Sequence, residues 1–293
     1  RSGRMASTNP MKGAGLVPVV LVLAILLVDC GGPSRVYSTW ASLRTPVGST
    51  SPIAVEATPP RDAVPWAGTV SHHLLAAEQI DRWFAELASR RTVKRFYVLS
   101  PSHWGLSTEE YSITDGSWRV PGGFVDSDAP RARALARRLG VGMERGVFDP
   151  EHGISTLAPF IKKHFPGAKI VAVAYRGEPP LDQPMAERLR EALDQAFSKR
   201  GRTENFLLIS TDFSHHGDKT DTKARDNRSQ IFFSSPSAST WILVGCDNRP
   251  GIYVLARLID PGTRDAVFFH CNSSELTGLD SNDITSYFFS FFW

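Results

Sequence analysis

The feature that most constrains this 293-residue chain is a series of short, unbroken apolar runs separated by stretches of helical spacing. Arg95–Ser100 is closed by Pro101, and Lys169–Tyr175 and Asn205–Ser210 are built the same way. Runs apolar at nearly every position read as strands buried on both faces. Between them, residues 74, 75, 80, 83, 84 and 87 are apolar at the spacing of one helix face. Asp128–Leu139 reads as a helix capped by Asp128, with Pro130 in its first turn and Gly140 as its stop. Gly153–Phe165, ended by Pro166-Gly167, and Met185–Phe197 and Pro250–Leu258 read as further helices. Ala266–His270 and the aromatic run Ile284–Phe292 read as strands. Strands alternating with helices predict the α/β class: a single domain over residues 66–293 with a mostly parallel or mixed central sheet flanked by helices.

Charge narrows the function classes. The formal net charge is +3, and residues 1–65 hold six Lys/Arg against three Asp/Glu, so the whole excess lies upstream of the domain. A nucleic-acid surface would need a basic stripe within the folded body, and none is expected here. Arg1, Arg4 and Lys12 precede an apolar run from Leu16 to Val28, which is followed by Asp29-Cys30-Gly31-Gly32. A basic segment before a short apolar one is the pattern of an export signal, and the run falls short of the about 20 residues needed to span a bilayer. Residues 1–30 are therefore expected to be a signal peptide or membrane anchor, with Cys30 as a lipoprotein-type site and an exported or periplasmic location. Residues 31–65, rich in Pro, Ser, Thr and Gly, are expected to be a spacer.

The polar chemistry gathers at strand exits. His103 follows the strand at 95–100, Asp212 and His215 follow the strand at 205–210, and His72 lies where a short strand meets the helix beginning near Leu74. Ligands of open α/β sheets bind beyond the carboxyl ends of the strands, and imidazole serves both as metal ligand and as proton shuttle. These four residues are candidates for one shared site. His164, in the Lys162-Lys163-His164 end of a helix, suits the helix dipole and reads as structural; His73 and His216 flank the candidate positions. Cys246 reads as a small buried hydrophobe, with a disulfide to Cys271 as the rival reading. Zinc-finger spacing, a phosphate-binding loop, a nucleophile elbow and a dinucleotide fingerprint are absent from the sequence.

Eight stretches, in order, resemble the Memo family, and within it the bacterial AmmeMemoRadiSam system protein B group. They are Ser71-His72-His73-Leu74-Leu75-Ala76, Leu99-Ser100-Pro101-Ser102-His103, Trp118-Arg119-Val120-Pro121-Gly122, Glu151-His152-Gly153-Ile154, Asp212-Phe213-Ser214-His215, Cys246 four residues before Pro250, His270 to Glu275, and Thr285-Ser286-Tyr287. The resemblance implies a LigB-like fold akin to class III extradiol dioxygenases. It also implies His72, His103 and Cys246 as metal ligands, with His152, Asp212 and His215 as catalytic residues lining the same pocket. Radical-SAM and AMMECR1-like proteins are the partners it implies, beside a small-molecule or peptide ligand.

Two imidazoles with open positions suit Fe(II), for which a carboxylate is the usual third ligand; a cysteine third ligand would also suit copper or zinc. Asp247 would supply that carboxylate if the register moved by one residue. A dioxygenase-like redox enzyme is the expectation, with a metal-dependent hydrolase or a non-catalytic scaffold as the alternatives.

Overall fold

Strands apolar at every position need cover on both faces, and the alternation of their side chains decides which residue meets which cover. The structure is a computed structural model describing residues 35–39, 53–279 and 281–293. Its strands are β1 (Val36–Tyr37), β2 (Ala67–Val70), β3 (Arg95–Pro101), β4 (Tyr111–Ile113), β5 (Ser117–Val120), β6 (Gly123–Asp126), β7 (Lys169–Tyr175), β8 (Asn205–Ser210), β9 (Phe213–Gly217), β10 (Asp265–Asn272) and β11 (Ile284–Phe292). The main sheet runs β10-β11-β2-β8-β3-β7-β4, with β9 also paired to β11. β2, β8, β3 and β7 are mutually parallel, while β4, β10 and β11 run against their neighbours.

Phe96 and Val98 of β3 join a core on one face of this sheet with Ile80, Trp83 and Phe84 of α1 (Ala77–Arg90) and Ile161 of α4 (Ala158–His164). Tyr97 and Leu99 join a second core on the other face. There they meet Leu135 of α2 (Ala129–Leu139), Leu189 of α5 (Gln183–Leu193), Phe232 of α6 (Lys219–Ser234) and Leu255 of α7 (Arg249–Leu258). The period-2 alternation along a single strand thus holds two layers of helices against one sheet. α2 keeps its expected ends: the Asp128 side chain accepts from Arg131 N, and Gly140 takes the left-handed conformation.

Three expectations need correction. The helix expected over 153–165 is two, α3 (His152–Ser155) and α4, because Pro159 in the first turn of α4 cannot accept a helix continuing into it. Strands outside the expected elements form a second, three-stranded sheet, β1-β5-β6. Its β1 comes from the expected spacer, where Tyr37 is fully buried against Trp118 with ring centroids 5.3 Å apart. Farther along that spacer, Glu56 and Ala57 donate their backbone N–H groups to Phe268 and Val267 at 3.0 and 3.1 Å. The folded body therefore reaches upstream of Trp66. The expected export segment, residues 1–30, lies outside the described residues. Among the described residues no helix is long and apolar enough to cross a membrane.

Candidate metal centre

The parallel strands carry the candidate residues to one place. In chain order β3 leads outward to β7 and β8 returns on β3's other side, so the carboxyl ends of β3 and β8 open a crevice at the point where the strand order reverses. His72 lies two residues past β2, His103 two past β3, and Asp212 two past β8. His215 sits within β9 between Ser214 and His216, both at positive φ of 44° and 54°. That conformation is costly for residues other than glycine. It is held by the bond from Ser214 N to Gly245 O and by the Ser214 hydroxyl donating to Asp226 at 2.6 Å.

The His72 and His103 rings are each oriented by the nitrogen that faces away from the centre. Glu151 caps α3 by accepting from Gly153 N at 2.9 Å, and its carboxylate also accepts from His103 N and His103 Nδ1, at 3.0 and 2.6 Å. Gly153 is needed there, since a β-carbon would meet Ser100 Oγ at 2.0 Å and crowd the His103 ring. His72 Nδ1 lies 3.0 Å from Ser210 Oγ, which itself donates to the Gly153 carbonyl, so the histidine is the donor. Both rings therefore turn Nε2 toward the centre. Their neighbours turn elsewhere: His73 to Tyr287 Oη at 2.6 Å, His216 to Asp283 at 2.7 Å, and His164 to Asp81 at 2.7 Å.

At the focus of these rings is Asp247. Its Oδ2 lies 3.2 Å from His72 Nε2, 3.3 Å from His215 Nε2 and 3.6 Å from His103 Nε2, and Asp212 Oδ2 lies 3.6 Å from His72 Nε2. Asp247 Oδ2, His103 Nε2 and His215 Nε2 are nonetheless buried atoms without a hydrogen-bond partner. Each such atom costs about 1–3 kcal/mol if left so. Donor atoms about 2.0–2.2 Å from one ion lie about 3.0–3.5 Å from each other, and the contacts here, at 3.2, 3.3, 3.6 and 3.6 Å, fall within or just beyond that range. Two sets of three donors converge closely enough to hold an ion: His72, His103 and His152, and His72, Asp212 and Asp247. The residues present fit a metal.

Asp247 is positioned by tertiary hydrogen bonds. Its Oδ1 accepts from Thr211 Oγ1 and Asp212 N at 2.8 and 3.0 Å. Asn248 next to it caps α7 and donates its amide to Leu99 O and Ser210 O, tying together the ends of β3 and β8. Cys246 belongs to neither set of converging donors. It bridges to Phe213 and contacts Thr211, and successive side chains of an extended chain point to opposite sides. Where the resemblance implies Cys246, the structure brings its neighbour Asp247 among the converging donors. Cys246 and Cys271 are both free thiols.

Electrostatics follow from this packing. Burial opposes charge on His103, but Asp247 and Glu151 outweigh it and push the imidazole up to about 9. His152, whose ring centroid is 4.1 Å from that of His103, has no such partner; burial and the neighbouring His103 and His72 push it down to about 4. Burial and the nearby Asp247 push the Cys246 thiol up to about 12. A pocket of ≈440 Å³ opens above the cluster, with Leu74, Trp104, Thr156 and Thr285 as its walls.

A family model described as Memo-like protein matches residues 63–233. That stretch contains His72, His103, Glu151, His152, Asp212 and His215, and it ends before Cys246 and Asp247. The chain is 28% identical over 154 residues to a MEMO1 family protein of Caldivirga maquilingensis, covering 52% of each chain. It is 28% identical over 147 residues to one of Methanopyrus kandleri, covering 48% of this chain and 50% of that one. Against one of Thermococcus onnurineus it is 26% identical over 158 residues, or 52% and 53%. The aligned part spans about half the length of these curated relatives. The expected bacterial origin finds no support among the relatives matched, which are mostly archaeal.

Proposed function

The chain belongs to the family of Memo-like proteins, and from that premise we propose that it is a metal-dependent redox enzyme acting on a small molecule or peptide side chain. His72, His103 and Asp247 would hold the metal, with Asp212 and His215 beside them. The observation that carries this is the set of three unpartnered buried atoms, Asp247 Oδ2, His103 Nε2 and His215 Nε2, facing one point. Two histidines and a carboxylate suit Fe(II), with copper or zinc as rivals. When bound, such an ion supplies a site where a ligand and an oxidant are held together.

The protein's own residues divide the remaining work. Glu151 and Ser210 fix the tautomers of His103 and His72. His152 is pushed down to about 4 by burial and by His103 and His72, so at neutral pH it lines the pocket uncharged, as a donor in one of the two converging sets. His215 is the group placed to move protons, since it faces the pocket and touches Asp247 on its other side. Trp104 and Leu74 exclude water from one side of any ligand.

Delivery to a membrane by residues 1–30, and radical-SAM and AMMECR1-like partner proteins, are supported by the sequence pattern and the resemblance. Elemental analysis of the purified protein tests the central reading. About one metal per chain is expected, lost in His72→Ala and in His103→Ala. A protein that takes up no iron, copper or zinc would instead be the scaffold.

A further inference from the structure

Beside the metal centre, and sharing its wall, lies a second pocket of ≈460 Å³. His215, Cys246 and Asp247 form one side, Ile242, Leu243 and Val244 another, and Arg225, Arg228 and Arg249 the rest. Arg225 and Arg228 stand three residues apart on α6, where side chains share a face, and Arg249 opens α7. The acids around them do not balance this charge. Glu178 is 72% exposed and 3.7 Å from Arg249, and Asp247 is engaged by Thr211, the Asp212 amide and the histidines.

Two of the three guanidinium groups are held by the fold, and all three keep donors to spare. Arg225 Nη1 donates to the His215 carbonyl at 2.9 Å, and Arg249 Nη2 donates to the Ile242 carbonyl at 3.2 Å while its Nε is buried and unpartnered. Arg228 makes no hydrogen bond or ion pair among the described residues. The pocket on the far side of α6, by contrast, sets Lys219 and Lys223 against Asp226 and Glu275. Three guanidinium forks around one cavity match an oxyanion.

We propose that this pocket is an anion subsite of the metal centre, taking the carboxylate or phosphate group of its ligand. The role of that anion rests on the metal-centre reading, whereas its binding does not. The substrate class is then an anionic one, anchored at the arginines with its uncharged part against Ile242 and Val244.

Isothermal titration of the full chain with inorganic phosphate and, separately, with succinate tests this at low ionic strength. Saturable binding of at least one is expected, and the stronger one identifies the group. Arg228→Gln and Arg249→Gln should each weaken it about tenfold, and the pair should abolish it. Arg257→Gln, on α7 but outside the pocket, should leave it unchanged. Arg228→Gln should keep the metal content of the parent, so loss of metal and loss of anion binding are read separately. Should Arg249→Gln unfold the chain, Arg228→Gln, which breaks no contact, still decides. Absence of saturable binding to either probe, or binding that survives the double substitution, overturns the proposal.

Discussion

Asp115 and Asp247 are both carboxylates ringed by side chains that can carry positive charge, but the rings differ in contact. Asp115 Oδ1 accepts from Arg145 Nε at 2.6 Å, and its Oδ2 accepts from Arg145 Nη2 and Arg133 Nη2, both at 2.9 Å, and from Arg133 Nε at 3.1 Å. Asp247 Oδ2 has three imidazole nitrogens at 3.2 to 3.6 Å and a hydrogen bond to none. The first ring is complete: it clasps the link between β4 and β5 to α2 and to the segment starting at Arg145. The second leaves convergent donors of the kind that could hold a cation. Satisfied polar atoms mark structure, and convergent unsatisfied ones mark a site.

The largest expected effects should separate the two rings. His72→Ala or His103→Ala should lower metal affinity by more than about 100-fold, measured by elemental analysis and competition with a chromophoric chelator. Asp115→Asn should keep full metal content while folded, and losing it would erase the distinction drawn above. Glu151→Gln comes next. It keeps a hydrogen-bond acceptor but removes the charge that holds His103 Nδ1–H, so affinity should fall about 10- to 100-fold with the fold intact. An unchanged affinity would mean that Glu151 serves only to cap α3.

The sequence shows best whatever depends on nearest neighbours. The bounds of β7, β8 and β11 match those expected residue for residue, because a strand buried on both faces is marked by a run rich in apolar residues. His72, His103, Asp212 and His215 are legible as strand exits. Asp247 is not legible in this way, because the register after β8 is set by Asn248 bonding Leu99 and Ser210, partners 149 and 38 residues away. The short strands β1, β5 and β6 are equally hidden, since two to four residues carry no periodicity and Tyr37 finds Trp118 only in the folded chain. The left-handed Ser214 and His216 leave no mark in composition, as neither is the glycine or asparagine such positions favour. The signal that points to Glu151 is the pair Glu151-His152, in which the histidine attracts notice and the carboxylate holds His103.

A smaller effect tests the complete ring itself. The Arg145 and Arg133 bonds outweigh burial and hold the Asp115 carboxyl down at about 2, against about 3.9 in an unfolded chain. A depressed carboxyl contributes stability above its unfolded value, here fully above about pH 4, and loses it as pH falls toward about 2. Asp115→Asn should therefore cost about 1–2 kcal/mol at neutral pH. Thermal unfolding of the variant and the parent, followed from pH 7 downward, should converge below about pH 2. A gap that stays constant with pH would show that packing, and not charge, carries the clasp.

The smallest expected effect bears most directly on the composition of the incomplete ring. Cys246 and Asp247 are adjacent in extended chain, so their side chains diverge and only one can face His72 and His103. The structure turns the carboxylate inward and leaves the thiol against Thr211, pushed up to about 12 by burial and by Asp247. Cys246→Ser should then keep the metal stoichiometry and hold affinity within about threefold, whereas Asp247→Asn should approach the loss seen in His103→Ala. The reverse pattern would put sulfur at the centre and Asp247 outside it. The unpartnered His103 Nε2 and His215 Nε2 around Asp247 Oδ2 would then lose their explanation, because the oxygen they face would have to leave for the sulfur to enter.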